Sequence, residues 1–161
     1  MMRRILLALA FAMALSHAAC GADNSTTRAP SPKPPTKTSL KEADRMKIRL
    51  KVGDTVLTAT LIDSATTRDF ISLLPLTLTL KDYAGTEKIS DLPKRLSTEN
   101  APSGSDPSVG DITYYAPWGN LAIFYRDFGT SSGLVILGKI DTSIEALNVP
   151  GSVKVTIELI K

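Results

Sequence analysis

Six of the chain's nine aromatic residues, Tyr114, Tyr115, Trp118, Phe124, Tyr125 and Phe128, fall within fifteen consecutive positions. Rings grouped this closely offer broad apolar contact with a polar edge and lose little rotamer freedom on binding, which is the chemistry of a recognition surface. Alternation along a strand sends Tyr114 and Tyr115 to opposite faces, and Phe124 and Tyr125 likewise, so part of the set must fill a core. The candidate ligand-binding residues are Tyr115, Trp118 and Tyr125 around a groove, with Arg126 at its rim. The opposing reading packs all six rings inside the domain. Residues 93–110 hold Pro93, Pro102 and Pro107 among Asn, Ser, Gly and Asp, and form a long surface excursion placed to cover such a groove.

Other chemistry is thin. The single histidine, His17, and the single cysteine, Cys20, both lie near the start of the chain. Beyond them there is no imidazole to act as a general base and no thiolate pair for a soft metal, so histidine-dependent hydrolases and zinc sites are set aside. No catalytic residue, metal or cofactor is implied. Asp106, Asp111 and Asp127 read as turn and cap formers rather than as an acid–base pair. Gly129-Thr-Ser-Ser-Gly133 lacks the lysine and the following helix of a phosphate loop, and reads as a hairpin connection. Nineteen Lys and Arg against sixteen Asp and Glu leave no dense basic stripe, which argues against nucleic acid as a partner.

The first twenty residues read as a cleavable secretion signal: Met-Met-Arg-Arg, then Ile5 to Leu15 without a charge, then the small residues Ser16, Ala18 and Ala19. That apolar run is too short to span a bilayer as a helix. Cys20 has two readings. Leu15-Ser-His-Ala-Ala-Cys20 resembles the box at which bacterial lipoproteins are acylated, with His17 where that box usually carries an apolar residue; ordinary cleavage after Ala18 or Ala19 is the alternative. The first reading predicts a lipid-anchored protein of the cell envelope, with Gly21 pointing to the outer membrane. The second predicts a soluble periplasmic or secreted one. Residues 21–44, rich in Pro, Ser, Thr and Lys, cannot bury enough apolar surface to offset their ordering entropy and read as a disordered spacer.

Residues 45–161 are predicted to be one mostly β domain. Met46–Val52 alternates apolar and basic residues with period two, Gly53-Asp54 makes a tight turn, and Thr55–Ile62 continues as its partner. Ser64 caps a short helix over Ala65–Leu74, ended by Pro75. Strands follow at Leu76–Leu80, Glu87–Ile89, Asp111–Ala116, Asn120–Arg126 and Leu134–Ile140. A second short helix, capped by Asp141 or Thr142, runs through Leu147, and Val153–Leu159 closes the domain. Eight short strands suffice to close a barrel filled by its own side chains, which removes exposed sheet edges. The fold predicted is a closed or nearly closed eight-stranded barrel with two short helices.

This order of elements, with Phe70-Ile-Ser-Leu-Leu-Pro-Leu76, Gly110-Asp-Ile-Thr-Tyr-Tyr-Ala-Pro-Trp-Gly119, Leu121–Tyr125 and Leu137-Gly-Lys-Ile140, resembles the bacterial cyclophilin-like family of small barrel proteins over nearly all of 46–160. The resemblance implies the cyclophilin-like barrel and does not hand over an activity. True cyclophilins use an arginine in a Phe-His-Arg stretch on the third strand, whereas Leu76–Tyr83 here has neither histidine nor arginine. The first functional expectation is therefore a module that binds a peptide, protein or small ligand. A divergent peptidyl-prolyl isomerase without that arginine is the second, and an accessory to a flavodoxin-type redox partner, implied by what similar barrels accompany, is the third.

Overall fold

A computed structural model describes residues 46–160. The leader, Cys20 and the spacer of residues 21–44 lie outside the described residues. The elements are β1 (Lys47–Val52), β2 (Thr55–Leu61), α1 (Ala65–Ile71), β3 (Leu76–Tyr83), β4 (Glu87–Asp91), β5 (Gly104–Ser105), β6 (Asp111–Tyr115), β7 (Asn120–Phe124), β8 (Ser131–Ser132), β9 (Leu134–Ile140) and β10 (Val153–Leu159). Eight strands close a barrel in the order β1-β10-β3-β4-β7-β6-β9-β2, and β5 with β8 form a separate two-stranded ribbon. Every pairing in the barrel is antiparallel.

Period two in the sequence becomes inside and outside in the barrel. Ile48 and Leu50 of β1, Leu57, Ala59 and Leu61 of β2, Ile112 and Tyr114 of β6, Leu121 and Ile123 of β7, and Val155 and Ile157 of β10 are all buried in one core. Each fully buried aliphatic side chain of this kind contributes about 1.5–3 kcal/mol. The Tyr114 hydroxyl does not go unsatisfied there, since it accepts from the Leu96 amide at 3.1 Å.

Strand register places the connections at opposite barrel ends. Helix α1 joins the end of β2 to the start of β3; the segment 141–152 joins the end of β9 to the start of β10, which pairs with the far end of β3. The Ser64 hydroxyl caps α1 by accepting from the Thr67 amide at 3.1 Å, and Phe70 of α1 is fully buried in the core. Asp69 then ties the helix to the following loop, accepting from Lys94 Nζ at 2.6 Å and from the Ser97 amide at 2.9 Å. These bonds, the one from Lys94 foremost, hold its carboxyl below the usual carboxylate range.

The predicted second helix is corrected. Residues 141–150 contain turns and bends, with the Leu147 amide bonding to Ile144 O at 2.9 Å, and no regular helix forms. The residues expected to cap it are engaged elsewhere: the Asp141 carboxylate accepts from Thr60 Oγ1 at 2.9 Å, and Thr142 Oγ1 accepts from the Thr58 amide at 3.4 Å. Pro150 also biases Val149 away from helical geometry, and a single turn cannot recover its nucleation cost. Leu147 is nonetheless fully buried, so the segment plugs the barrel without being helical.

The seam that closes the barrel is narrow. Strand β9 meets β2 over only Ala59 with Ile140, Thr60 with Lys139 and Leu61 with Gly138, and on its other edge it slips register against β6 between Ile112 and Thr113. A Cβ added at Gly138 would lie 2.4 Å from Thr60 O and 2.7 Å from Leu61 Cα, both backbone atoms. Only glycine lets the chains approach this closely. Gly138→Ala is expected to lower unfolding free energy by about 3 kcal/mol in urea titrations, whereas Gly129→Ala, whose Cβ would meet nothing within 4 Å, is expected to stay within about 0.5 kcal/mol.

Candidate functional site

The outer wall of the barrel carries a second, smaller apolar cluster. Ala122 and Phe124 of β7 and Leu134 of β9 are buried together there, with Ile89 of β4 and Tyr115 of β6 packed against them. Alternation explains the sorting, because Leu121 and Ile123 between them point into the core. Two stretches of chain border this wall. The 93–110 excursion is tied to the 125–133 connection by the β5–β8 ribbon, by Gly133 N to Ser103 O at 2.7 Å and by Phe128 N to Pro107 O at 3.1 Å.

Between wall and connections lies a cup of about 140 Å³, lined by Tyr83, Glu87, Tyr115, Trp118, Asn120, Phe124, Phe128, Ser131 and Leu134. Trp118 folds over its mouth and is 55 % exposed. Its ring stands edge-on to both Tyr83 (centroids 5.5 Å, 88°) and Tyr115 (5.4 Å, 80°), while Phe124 and Phe128 pair at 6.0 Å. Such edge-to-face arrangements are favoured by the ring quadrupoles. Arg95 holds the turn that presents Trp118, its guanidinium donating to Ala116 O at 2.7 Å and to Pro117 O at 3.1 Å.

Two polar groups inside the cup are not at rest. Glu87 faces Phe124 across the β4–β7 ladder, and burial there pushes its carboxyl up to about 7. Asn120 is 2 % exposed, and its buried Oδ1 has no hydrogen-bond partner. Buried unsatisfied acceptors are uncommon in folded proteins.

A different cluster occupies the adjacent barrel end. Lys88 is fully buried; its ammonium donates to Val149 O at 2.5 Å and Gly151 O at 2.8 Å, and lies 3.5 Å from Asp82 Oδ1. Three protons meet three acceptors, so this cation is satisfied. Asp82 also accepts from the Tyr125 hydroxyl at 2.5 Å. That bond, aided by Lys88, holds Asp82 below the usual carboxylate range, while burial together with the same bond pushes the Tyr125 phenol up to about 12.

The predicted groove residues thus part company. Tyr115 and Trp118 meet in the cup; Tyr125 turns to Asp82, and Arg126 is exposed outside the lining. Of the six clustered rings, Tyr114 is core and Phe124, Phe128, Tyr115 and Trp118 line the cup. Of the aspartates, Asp111 acts as a turn former, Oδ2 accepting from Ser108 N at 2.8 Å while Oδ1 lies 3.4 Å from Lys139 Nζ, and Asp127 instead links two loops, Oδ1 accepting from Val109 N at 2.9 Å. Glu87, Asn120 and Tyr83 escaped sequence reasoning. The available signal was parity, since Glu87 shares its face with Ile89, but which strand faces them depends on register.

Residues 50–158 match the model of the Cyclophilin-like family. The barrel is similar to the solution structure of a hypothetical protein from Archaeoglobus fulgidus, at 19 % identity and a TM-score of 0.52, covering 73 % of this chain and 96 % of that one. At that identity the likeness concerns the fold alone. No curated protein matches the chain by sequence.

The raised Glu87 carboxyl has a measurable consequence. Between its ordinary value near 4.5 and about 7 the folded chain keeps a proton that the unfolded chain has released, so this group's contribution to stability declines as pH rises through that window. Allowing for partial exposure, the decline is on the order of 2 kcal/mol. Asp69 and Asp82, shifted downward, act below this window. Thermal melts of Glu87→Gln are expected to lose the slope and to lie above wild type on the alkaline side.

Proposed function

The chain belongs to the cyclophilin-like family, and from that premise we propose that it is an exported domain that binds a ligand or partner through the Trp118 cup. The observation that carries the reading is the cup itself: a concave aromatic wall with two under-satisfied polar groups, the usual make-up of a small recognition site. Fold alone would not carry it. The lining includes no arginine, and β3 has neither arginine nor histidine. Prolyl isomerisation assisted by an arginine therefore has no such residue in the cup or on β3, and binding is the reading we put first.

Export and anchoring rest on the leader residues. A positive start, an uncharged run from Ile5 to Leu15 and Cys20 after Ala18 and Ala19 support lipidation at that cysteine. The spacer of residues 21–44 would hold the barrel up to roughly 70 Å from the bilayer when extended.

Two measurements test the proposal. Titration of a panel of short peptides and small polar fragments is expected to give saturable changes in Trp118 emission, which are lost in Trp118→Ala, with little or no cis/trans turnover of prolyl peptides. Turnover abolished by the same substitution would instead make the protein an isomerase. Mass spectrometry of membrane-extracted protein is expected to find a diacylglyceryl group on Cys20; a mature terminus at Ala19 or an unmodified Cys20 would remove the anchor.

A further inference from the structure

We infer that the cup takes the protonated amino group of an alkylamine, an inference that rests on the cup being the binding site. Two of the residues lining the cup lack protein partners among the described residues. Asn120 Oδ1 is buried without a donor, and among the described residues no cation pairs with Glu87. Of the cations on neighbouring segments, Lys88, next in sequence, points to the barrel end and its carbonyls, the Arg95 guanidinium is held by Ala116 O and Pro117 O, and Arg126, whose amide bonds to Thr86 O at 3.2 Å, is exposed and outside the cup lining. The desolvation that raises the Glu87 carboxyl is the mark of an anion site with no counter-charge supplied by the protein.

The ligand classes separate on this basis. An anionic ligand would meet Glu87 as a like charge. A purely apolar group would fit the rings but leave Glu87 unpaired, at its full desolvation cost. An ammonium supplies the counter-charge and an N–H donor to Glu87, and its charge and alkyl carbons lie against Tyr83, Tyr115 and Trp118, whose ring faces attract cations. The hydroxyls of Tyr83, Tyr115 and Ser131 accept as readily as they donate. A volume of about 140 Å³ admits the amino head and a few carbons. A free amine and a peptide lysine share this chemistry.

Trp118 is the chain's single tryptophan, so emission reports from the mouth of the cup alone. At about pH 8, where Glu87 is ionised and an alkylamine still charged, butylammonium chloride is titrated against 1-butanol, its uncharged counterpart, with sodium chloride as control. Butylammonium is expected to saturate at a concentration at least about tenfold lower than butanol. Glu87→Gln is expected to weaken butylammonium by about tenfold or more and to abolish its preference over butanol; the variant's thermal melt confirms that it folds. Nα-acetyl-lysinamide binding tighter than butylammonium assigns a peptide lysine, and the reverse order assigns a free amine. Equal binding of butanol and butylammonium, no effect of Glu87→Gln, or no saturable response to either amine overturns the inference. If other members of the fragment panel still move Trp118, only the amine assignment falls; if nothing moves it, the binding reading falls with it.

Discussion

Closure of the sheet at β2 and β9 is the constraint on which the rest depends. An eight-stranded ribbon left open would expose two edges and half of its core, and here the joining seam is only three residue pairs wide. Gly138 makes it possible in two ways. Its missing side chain admits the β2 backbone, and it sits beside the register slip that lets β9 pair β6 on its other edge. Once that seam is shut, the inward side chains of seven strands have a common interior, and the outward ones on β4, β7, β6 and β9 form a curved wall rather than a flat sheet.

That wall has two functional neighbourhoods separated by alternation within β4. Glu87 and Lys88 are adjacent in sequence yet lead opposite lives. Lys88 enters the barrel end and ties the 141–152 segment through two carbonyls, with Asp82 and Tyr125 completing its surroundings. Glu87 faces outward into the aromatic cup, where among the described residues it makes no ion pair. Buried charge is tolerated when fully bonded and costly when not, so Lys88 is settled within the fold while Glu87 holds its proton to a higher pH.

The connections matter as much as the strands. The 93–110 excursion and the 125–133 connection border the same wall because β5 and β8, two residues each, bind one to the other. Arg95, at the start of the excursion, then fixes the turn bearing Trp118. The cup is therefore assembled from segments widely separated along the chain and held by backbone bonds, which suits a rigid recognition surface.

The alternation at Met46–Val52, Leu76–Leu80 and Val153–Leu159 was enough to read the strands and the eight-membered barrel, because period two along a half-buried strand follows from backbone geometry alone. The same rule separated Tyr114 from Tyr115. It could not say that Asp141 and Thr142 bond across to β2 instead of starting a helix, since those bonds join residues more than eighty positions apart. Nor could it assemble the cup. Local periodicity tells which face a side chain takes, but which strand lies opposite is set by long-range register, and register alone brought Glu87 to Phe124 and turned Tyr125 away toward Asp82.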